Sequence, residues 1–452
     1  DGTWSEQLDL SSLGDGTLTA TAWQVDGVGN TGTTRTAEGL KDTVLPAAPS
    51  VGFSGPVTVE RPTVTLSGTG ETGDLLTVSV DDTDGATQPV TDTVSVADSL
   101  WTTSLDLSGL SDGTLTATVS QVDEVGNVSP DGQATGVKDA TAPGMPAITT
   151  AGPVNAAGAA SVPLAGTGTT GDTVKVLVSD DVHPALAATA SVTDGAWATS
   201  LNLSGLDDGP LTISATDVDA VGNGSSPATL TFAKDTVAPH VALTAPRPAF
   251  MLGTVRAAWS GSDGGTGLAT APYDVRWARG AHAKSLGGYR SLLTAVAARS
   301  TVRSVSAGVT ACFEVRAHDA VGNVSDWSGA RCSTAALDDR AMSATARWTR
   351  ARDAKLYHGS ALVTTVKGQR VVLAASPLTR VALVATHCGR CGVVGVYVGK
   401  RLVKIVDLHA VHTRRHVVTI LPAMSARTKS VTIRVLSSGK QVVVDGVGTS
   451  TR

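Results

Sequence analysis

The sequence points to an all-β protein made of several sandwiches in a row, on three observations. The 452 residues are rich in Gly, Thr, Ala, Ser and Val, with 41% hydrophobic, 17% charged and only 4% aromatic residues. That mixture is too apolar for a disordered chain and wrong for helical bundles. Whole phrases return at intervals of 97 and 96 residues, the size of a domain rather than of a solenoid turn. Inside each interval apolar and polar residues alternate, the period of a strand with one buried face.

Landmarks define the repeats. Trp4, Trp101 and Trp197 precede the phrases Asp-Gly-Thr-Leu-Thr-Ala-Thr at 15–21 and 112–118 and Asp-Gly-Pro-Leu-Thr-Ile-Ser at 208–214. Asn30, Asn127 and Asn223 close an Asp-x-Val-Gly-Asn that recurs a fourth time at 319–323. Leu76, Val78 and Val80, like Leu115, Ala117 and Val119, fall on one face of their strands. Gly and Asp clusters between them mark turns, giving about seven short strands per repeat and a sandwich plugged by its Trp. Each repeat ends in Lys-Asp-Thr-x-x-Pro or a close variant, at 41–46, 138–143 and 234–239. Proline makes these short, semi-stiff joints, and Lys41, Lys138 and Lys234 are expected to be solvated there. The joints set off 1–46 (closing strands only), 47–143 and 144–242.

These phrases resemble the tandem bacterial immunoglobulin-like (Big-type) domains of large secreted and surface proteins, over residues 1–242. Residues 243–340 are similar to a fibronectin type III domain. Trp259 and Trp277 are expected on facing core strands, Cys312–Ala317 alternates and returns by Ser325–Ser328, and 278–300 is irregular. The segment 341–452 has no copy in the chain; Leu362–Ala374, Arg380–Ala385, Val393–Leu408, Val417–Leu421 and Val431–Val444 read as its strands. It resembles the jelly-roll-like module that accompanies such fibronectin-like domains in exported bacterial proteins, which implies carbohydrate binding.

Charge is segregated. Residues 1–242 carry 6 Lys/Arg against 30 Asp/Glu, whereas 341–452 carry 18 against 3. The acidic half could attract cations, and the basic end suits an anionic polymer. Nucleic acid is disfavoured as a partner, because the aromatic interleaving of single-strand binders is missing. No apolar run reaches the roughly 18–20 residues of a membrane helix. The chain starts at Asp1 with no targeting segment, which suggests the C-terminal part of a longer exported protein. No Leu-Pro-x-Thr-Gly sorting signal is present.

Candidate chemistry is sparse. There is no nucleophile elbow, phosphate loop, His-Glu-x-x-His or dinucleotide fingerprint, so no catalytic residue and no required cofactor is expected. Asp26 and Asp42, Asp123 and Asp139, and Asp219 and Asp235 are each 16 residues apart. Loop and joint aspartates could thus meet and hold Ca²⁺ through hard oxygens, as the resemblance to surface arrays also implies; the loops otherwise read as turns. Four cysteines in close pairs, Cys312/Cys332 and Cys388/Cys391, suit an oxidising compartment and local disulfides. For Cys388-Gly-Arg-Cys391, metal binding and redox chemistry stay open alternatives, and His409, His412, His416 and His387 read as surface residues or metal ligands. Arg350, Arg352, Lys400, Arg401, Lys404, Arg414 and Arg415 are the candidate contacts to a cell-wall polymer or polysaccharide, on charge clustering. The expectation is a non-catalytic extracellular adhesion protein with an acidic spacer and a basic binding end. Its alternative is the accessory region of an exported enzyme with an upstream catalytic domain.

Overall fold

Alternating Thr, Val and Leu do build strands. The computed structural model describes residues 2–85, 87–247 and 249–451; strands make up 55% of it and helix 1%. Contacts divide the chain into two compact units: Asp1–Ala151, Pro163–Leu201 and Thr212–Thr231 in one, Gly152–Val162, Asn202–Leu211 and Phe232–Arg452 in the other.

In the first unit, Gly16–Ala22 pairs antiparallel with Arg35–Lys41. Two sheets follow: Gly52–Phe53, Thr63–Thr69 and Leu100–Asp106 form one, and Val90–Ser95, Leu75–Asp82, Gly113–Val122 and Gly132–Lys138, in that order, form the other. Strand Gly113–Val122 alternates buried and half-buried residues from Leu115 onward. Its Leu115, Ala117 and Val119 meet Leu66, Leu76, Val78 and Val80 in a dry core. Trp101 plugs that core at 3% exposure and donates its indole N–H to Ser50 O at 3.0 Å. Trp197 repeats the device, buried and donating to Thr167 O at 3.2 Å. Trp4 stays 72% exposed.

The joint lysines differ from expectation. Lys138 is buried, donating to the carbonyls of Leu110 and Ser108 in the turn that opens the preceding strand. In the second unit buried Lys234 donates to Leu206 O at 3.0 Å and Asp208 Oδ1 at 2.6 Å. An ammonium neutralises a cluster of otherwise orphaned turn carbonyls, so these lysines belong to the fold rather than to solvent.

The second unit also contains a five-stranded sheet, Ala249–Met251, Arg331–Ala335, Thr310–Asp319, Leu268–Gly280 and Arg290–Val296 in spatial order, with a three-stranded one, His240–Ala245, Thr254–Ser262 and Ser300–Ser304. Trp259 and Tyr273 meet edge-on in its core, ring centroids 6.2 Å apart. Trp277 is half-buried, packing beside Phe313 at 5.8 Å with the Arg279 guanidinium over its ring. Strand Arg290–Val296 runs through the stretch expected to be irregular; its register shifts at Tyr273/Val275 and Val275/Arg276 hide it from pattern reading.

Two further sheets close the chain. One contains Thr349–Arg352, Ser360–Thr364, Val442–Ser450, Arg380–His387 and Arg414–Ile420, with Leu337–Asp338 paired to Val442–Ser450; the other contains Ser343–Ala344, Arg370–Leu378, Arg427–Val435, Val393–Val398 and Arg401–Asp407. A Val- and Leu-rich core lies between them. Three long expected strands are each broken by a turn whose glycine takes positive φ: Gly368 (84°), Gly399 (60°) and Gly439 (71°). This sandwich joins the preceding one without a polar linker: Ala336 is buried, the Tyr357 hydroxyl donates to its carbonyl at 2.9 Å, and Phe250 lies over Gly448.

Candidate functional site

The Asp-x-Val-Gly-Asn loops are built alike. The Asp carboxylate accepts backbone N–H groups two and four residues on, the geometry of an Asx turn, and Gly126, Gly222 and Gly322 take φ near 100°. The Asn then reaches outward. Asn127 Nδ2 donates to Asp42 O (3.2 Å), Asn223 Nδ2 to Asp139 O (2.9 Å) and Asn323 Nδ2 to Asp235 O (2.8 Å). Asn223 Oδ1 also accepts Val59 N (3.3 Å), and Asn323 Oδ1 accepts Ala156 N (2.9 Å). Each loop therefore clasps the joint that enters its own sandwich.

That geometry corrects the expected aspartate pairs. Asp139 follows Lys138, which pairs with Gly113 at the start of strand Gly113–Val122, whereas Asp123 follows that strand's end, so the two lie roughly 35 Å apart at the rise of a strand. Asp26 and Asp42 are separated in the same way by Gly16–Ala22 and Arg35–Lys41, and strand Ala228–Lys234 intervenes in the chain between Asp219 and Asp235. The partners are offset by one repeat: Asp42 meets the loop of Asp123, Asp139 that of Asp219, and Asp235 that of Asp319. Acids do gather there. Burial, then Asp217, Asp219 and Asp139, push the Asp172 carboxyl up. In the second unit, Asp235, Asp263 and Asp319 each bring an oxygen within 4.8 Å of the others. Asp235 is buried, which raises its pKa, but bonds from Thr266 N and Oγ1 outweigh that and leave it below the usual carboxylate range. Asp263 Oδ1 is buried without a partner, and a side chain at Gly265 would collide with Asp235 at 2.3 Å. Asp263 escaped sequence reading because no repeat carries its counterpart.

Both cysteine pairs form disulfides. Cys312 and Cys332 face each other on paired strands, and Cys388–Cys391 closes a tight loop. Among the described residues, His387, His409, His412 and His416 form no metal-holding group.

The seven basic candidates do not form one patch. Arg350 Nε donates to Asp339 Oδ2 at 2.5 Å; Asp339 is wholly buried and also receives the Ser360 hydroxyl at 2.6 Å, so Arg350 is structural. Lys400, Arg401 and Lys404 lie on the hairpin of Val393–Val398 and Arg401–Asp407, in one sheet. Arg352, Arg414 and Arg415 lie in the other, Arg414 opposite His387. Arg352 and Arg415 line an open groove of about 650 Å³ with Arg390, Thr386, Gln441 and the Cys388 edge of the disulfide. Arg390 went unnoticed in the sequence, because only the disulfide loop brings it there.

Beside this groove lies an acid with no sequence signal. Asp445 is wholly buried on Val442–Ser450; Thr386 Oγ1 is 3.3 Å from its Oδ2, and its Oδ1 has no partner. Burial pushes its carboxyl up to about 6, with Asp339 adding to the rise and His416, the Tyr357 N–H and the Thr386 hydroxyl opposing it.

No family model matches the chain, and no curated protein does. Among solved structures it is similar to one described as giving insight into host cell surface retention of a 1.5-MDa bacterial ice-binding adhesin, with 18% identity, TM-score 0.29 and coverage of 64% of this chain and 96% of that one. It is also similar to a tetra-tandem repeat in the extending region of a large adhesion protein (20% identity, TM-score 0.23, coverage 90% and 100%). A third likeness is to the fibronectin(III)-like modules of Clostridium thermocellum CbhA (14%, TM-score 0.25, coverage 43% and 94%). The fold assignment rests on the strand pairing above, not on these likenesses.

Two outcomes follow from this geometry. Asn223→Ala removes the clasp on Asp139 and should cost about 1–3 kcal/mol. Trypsin should then cut after Lys138 severalfold faster than in the parent, and an unchanged rate would show that the clasp does not hold the joint. Asp445 binds its proton more tightly folded than unfolded, so its favourable contribution is complete below about pH 4 and lost as pH rises through about 6. Asp445→Asn should therefore be more stable than the parent at pH 7.5, by on the order of 1–3 kcal/mol, with the gain vanishing at pH 4. Melting curves at both values decide, and equal gains at both would contradict the assignment.

Proposed function

We propose that this chain is a non-catalytic, extracellular adhesion protein: its acidic sandwiches act as a spacer, and its basic C-terminal module contacts an anionic or carbohydrate polymer. The observation that carries the reading is the clasp repeated at three successive joints, Asn127 on Asp42, Asn223 on Asp139 and Asn323 on Asp235. A spacer needs joints that resist bending, and a hydrogen-bonded asparagine side chain across each joint, buried at Asn223 and Asn323 and half-buried at Asn127, supplies that resistance. The 18 basic against 3 acidic residues of 341–452 supply the attraction at the other end.

Retention of the full chain on purified cell-wall polysaccharide tests the reading. Binding is expected at low salt and should fall steeply with added sodium chloride. A chain that flows through at every ionic strength would refute the polymer contact.

Calcium belongs to the same proposal, at the third joint. Asp235, Asp263 and Asp319 fit a hard cation, because Asp263 Oδ1 is buried with no partner while Oδ2 already accepts Gly265 N and Gly267 N, leaving one oxygen for an ion. Millimolar calcium should raise the melting temperature of the parent, and Asp263→Asn should abolish that response. If chelator and calcium give the same curve, the three acids are held by hydrogen bonds alone.

A further inference from the structure

We propose that the groove on the Arg380–His387 sheet is the site that takes a saccharide unit bearing a carboxylate or phosphate, with Arg352, Arg390 and Arg415 as its anion-binding residues. The proposal rests on the polymer-contact reading above and gives it an address and a ligand class.

Three separate elements deliver these guanidinium groups to one groove: the end of Thr349–Arg352, the disulfide-closed loop and the start of Arg414–Ile420. Among the described residues none of the three makes an ion pair or a side-chain hydrogen bond, whereas nearby Arg350 is neutralised by Asp339, and Arg276 and Arg316 by Glu314 and Asp274. One acid, Asp353, shares the lining, its Oδ1 accepting Lys355 N at 2.8 Å. The lining thus keeps an excess of positive charge at neutral pH. Guanidinium is weakly hydrated and matches carboxylate and phosphate with paired donors.

The rest of the lining favours a sugar carrier for that anion, and a charged sugar over a neutral one. Thr386, Thr413 and Gln441 offer uncharged donors and acceptors of the kind that hydroxyl groups use, and no aromatic ring lines the groove for a neutral sugar face to stack on. Its volume, about 650 Å³, lies within the roughly 300–1,000 Å³ of small-ligand sites. The site is held before any ligand arrives. The Cys388–Cys391 bridge closes the Arg390 loop, Cys388 N donates to Leu408 O at 3.0 Å, and Gly392 N donates to Gln441 O at 2.9 Å. A side chain at Gly392 would lie 2.0 Å from Ser437 Oγ, so the loop packs closely against its neighbour there. Preorganised donors lose little entropy on binding.

Calorimetry on the full, oxidised chain tests this with three probes: oligogalacturonate, a glycerol-phosphate oligomer and neutral dextran oligomers. The parent should bind at least one anionic probe and not dextran, and the tighter anionic probe identifies the charged group. Arg352→Ala, Arg390→Ala and Arg415→Ala should each weaken binding about tenfold. Lys367→Ala, which removes one charge outside the groove, should stay within about twofold of the parent, as screened surface charge predicts. If the three groove variants bind as the parent does, the groove is not the site, although the polymer contact stands. If dextran binds as well as the anionic probes, the ligand class is wrong. If no anionic probe binds while cell-wall polysaccharide still retains the chain, the anionic assignment fails alone; if nothing binds in either assay, the polymer-contact reading fails with it.

Discussion

A buried asparagine has to satisfy two N–H hydrogens and one carbonyl oxygen, and the array depends on how it does so. Asn223 gives one hydrogen to Asp219 of its own loop and the other to the Asp139 carbonyl of the joint, while its oxygen accepts Val59 N. Its polar atoms are satisfied only when the preceding sandwich is in place, and burial makes an unsatisfied amide costly. Asn323 repeats the arrangement with Asp319, Asp235 and Ala156. The Asx turn fixes where the side chain starts, and the positive-φ glycine before it lets the loop close.

The last joint is built on another principle. Between the sandwich carrying Trp259 and the one carrying Trp348, the chain passes through buried Ala336, with Tyr357, Val384 and Leu252 around it. Apolar burial holds this pair together with a few directional bonds, the Tyr357 hydroxyl on Ala336 O and the Thr449 hydroxyl beside His282 Nδ1 at 3.1 Å, so their relative placement depends on packed volume as well.

Much of this was legible in the residues. Alternation along Leu115–Val119, the landmark Trp101 and Trp197 and the cysteine spacings gave the strands, the plugs and the pairings, because each depends on local pattern or on short separation. What failed to show had non-local causes. The aspartates were paired within a repeat because spacing alone does not say that Asp123 and Asp139 cap opposite ends of one strand. Lys138 and Lys234 looked solvated because most of their acceptors are turn carbonyls, to which side-chain patterns are blind, and because their acidic partners Asp112 and Asp208 lie 26 residues earlier in the chain. Arg350 looked like Arg352 until Asp339 claimed it, and Asp445 sits in a run of valines with nothing nearby to announce a buried acid.

The clasp divides cleanly between neighbours: the joint aspartate carbonyl belongs to one copy, and the loop asparagine to the next. Any copy ending in Lys-Asp therefore offers the half that any copy bearing Asp-x-Val-Gly-Asn accepts, and the sandwich carrying Trp259, which is not a copy of the others, accepts it through Asn323. Units with matching halves can be duplicated, deleted or exchanged by recombination without a new interface having to evolve. Length becomes a quantity that the gene can adjust in steps of one domain.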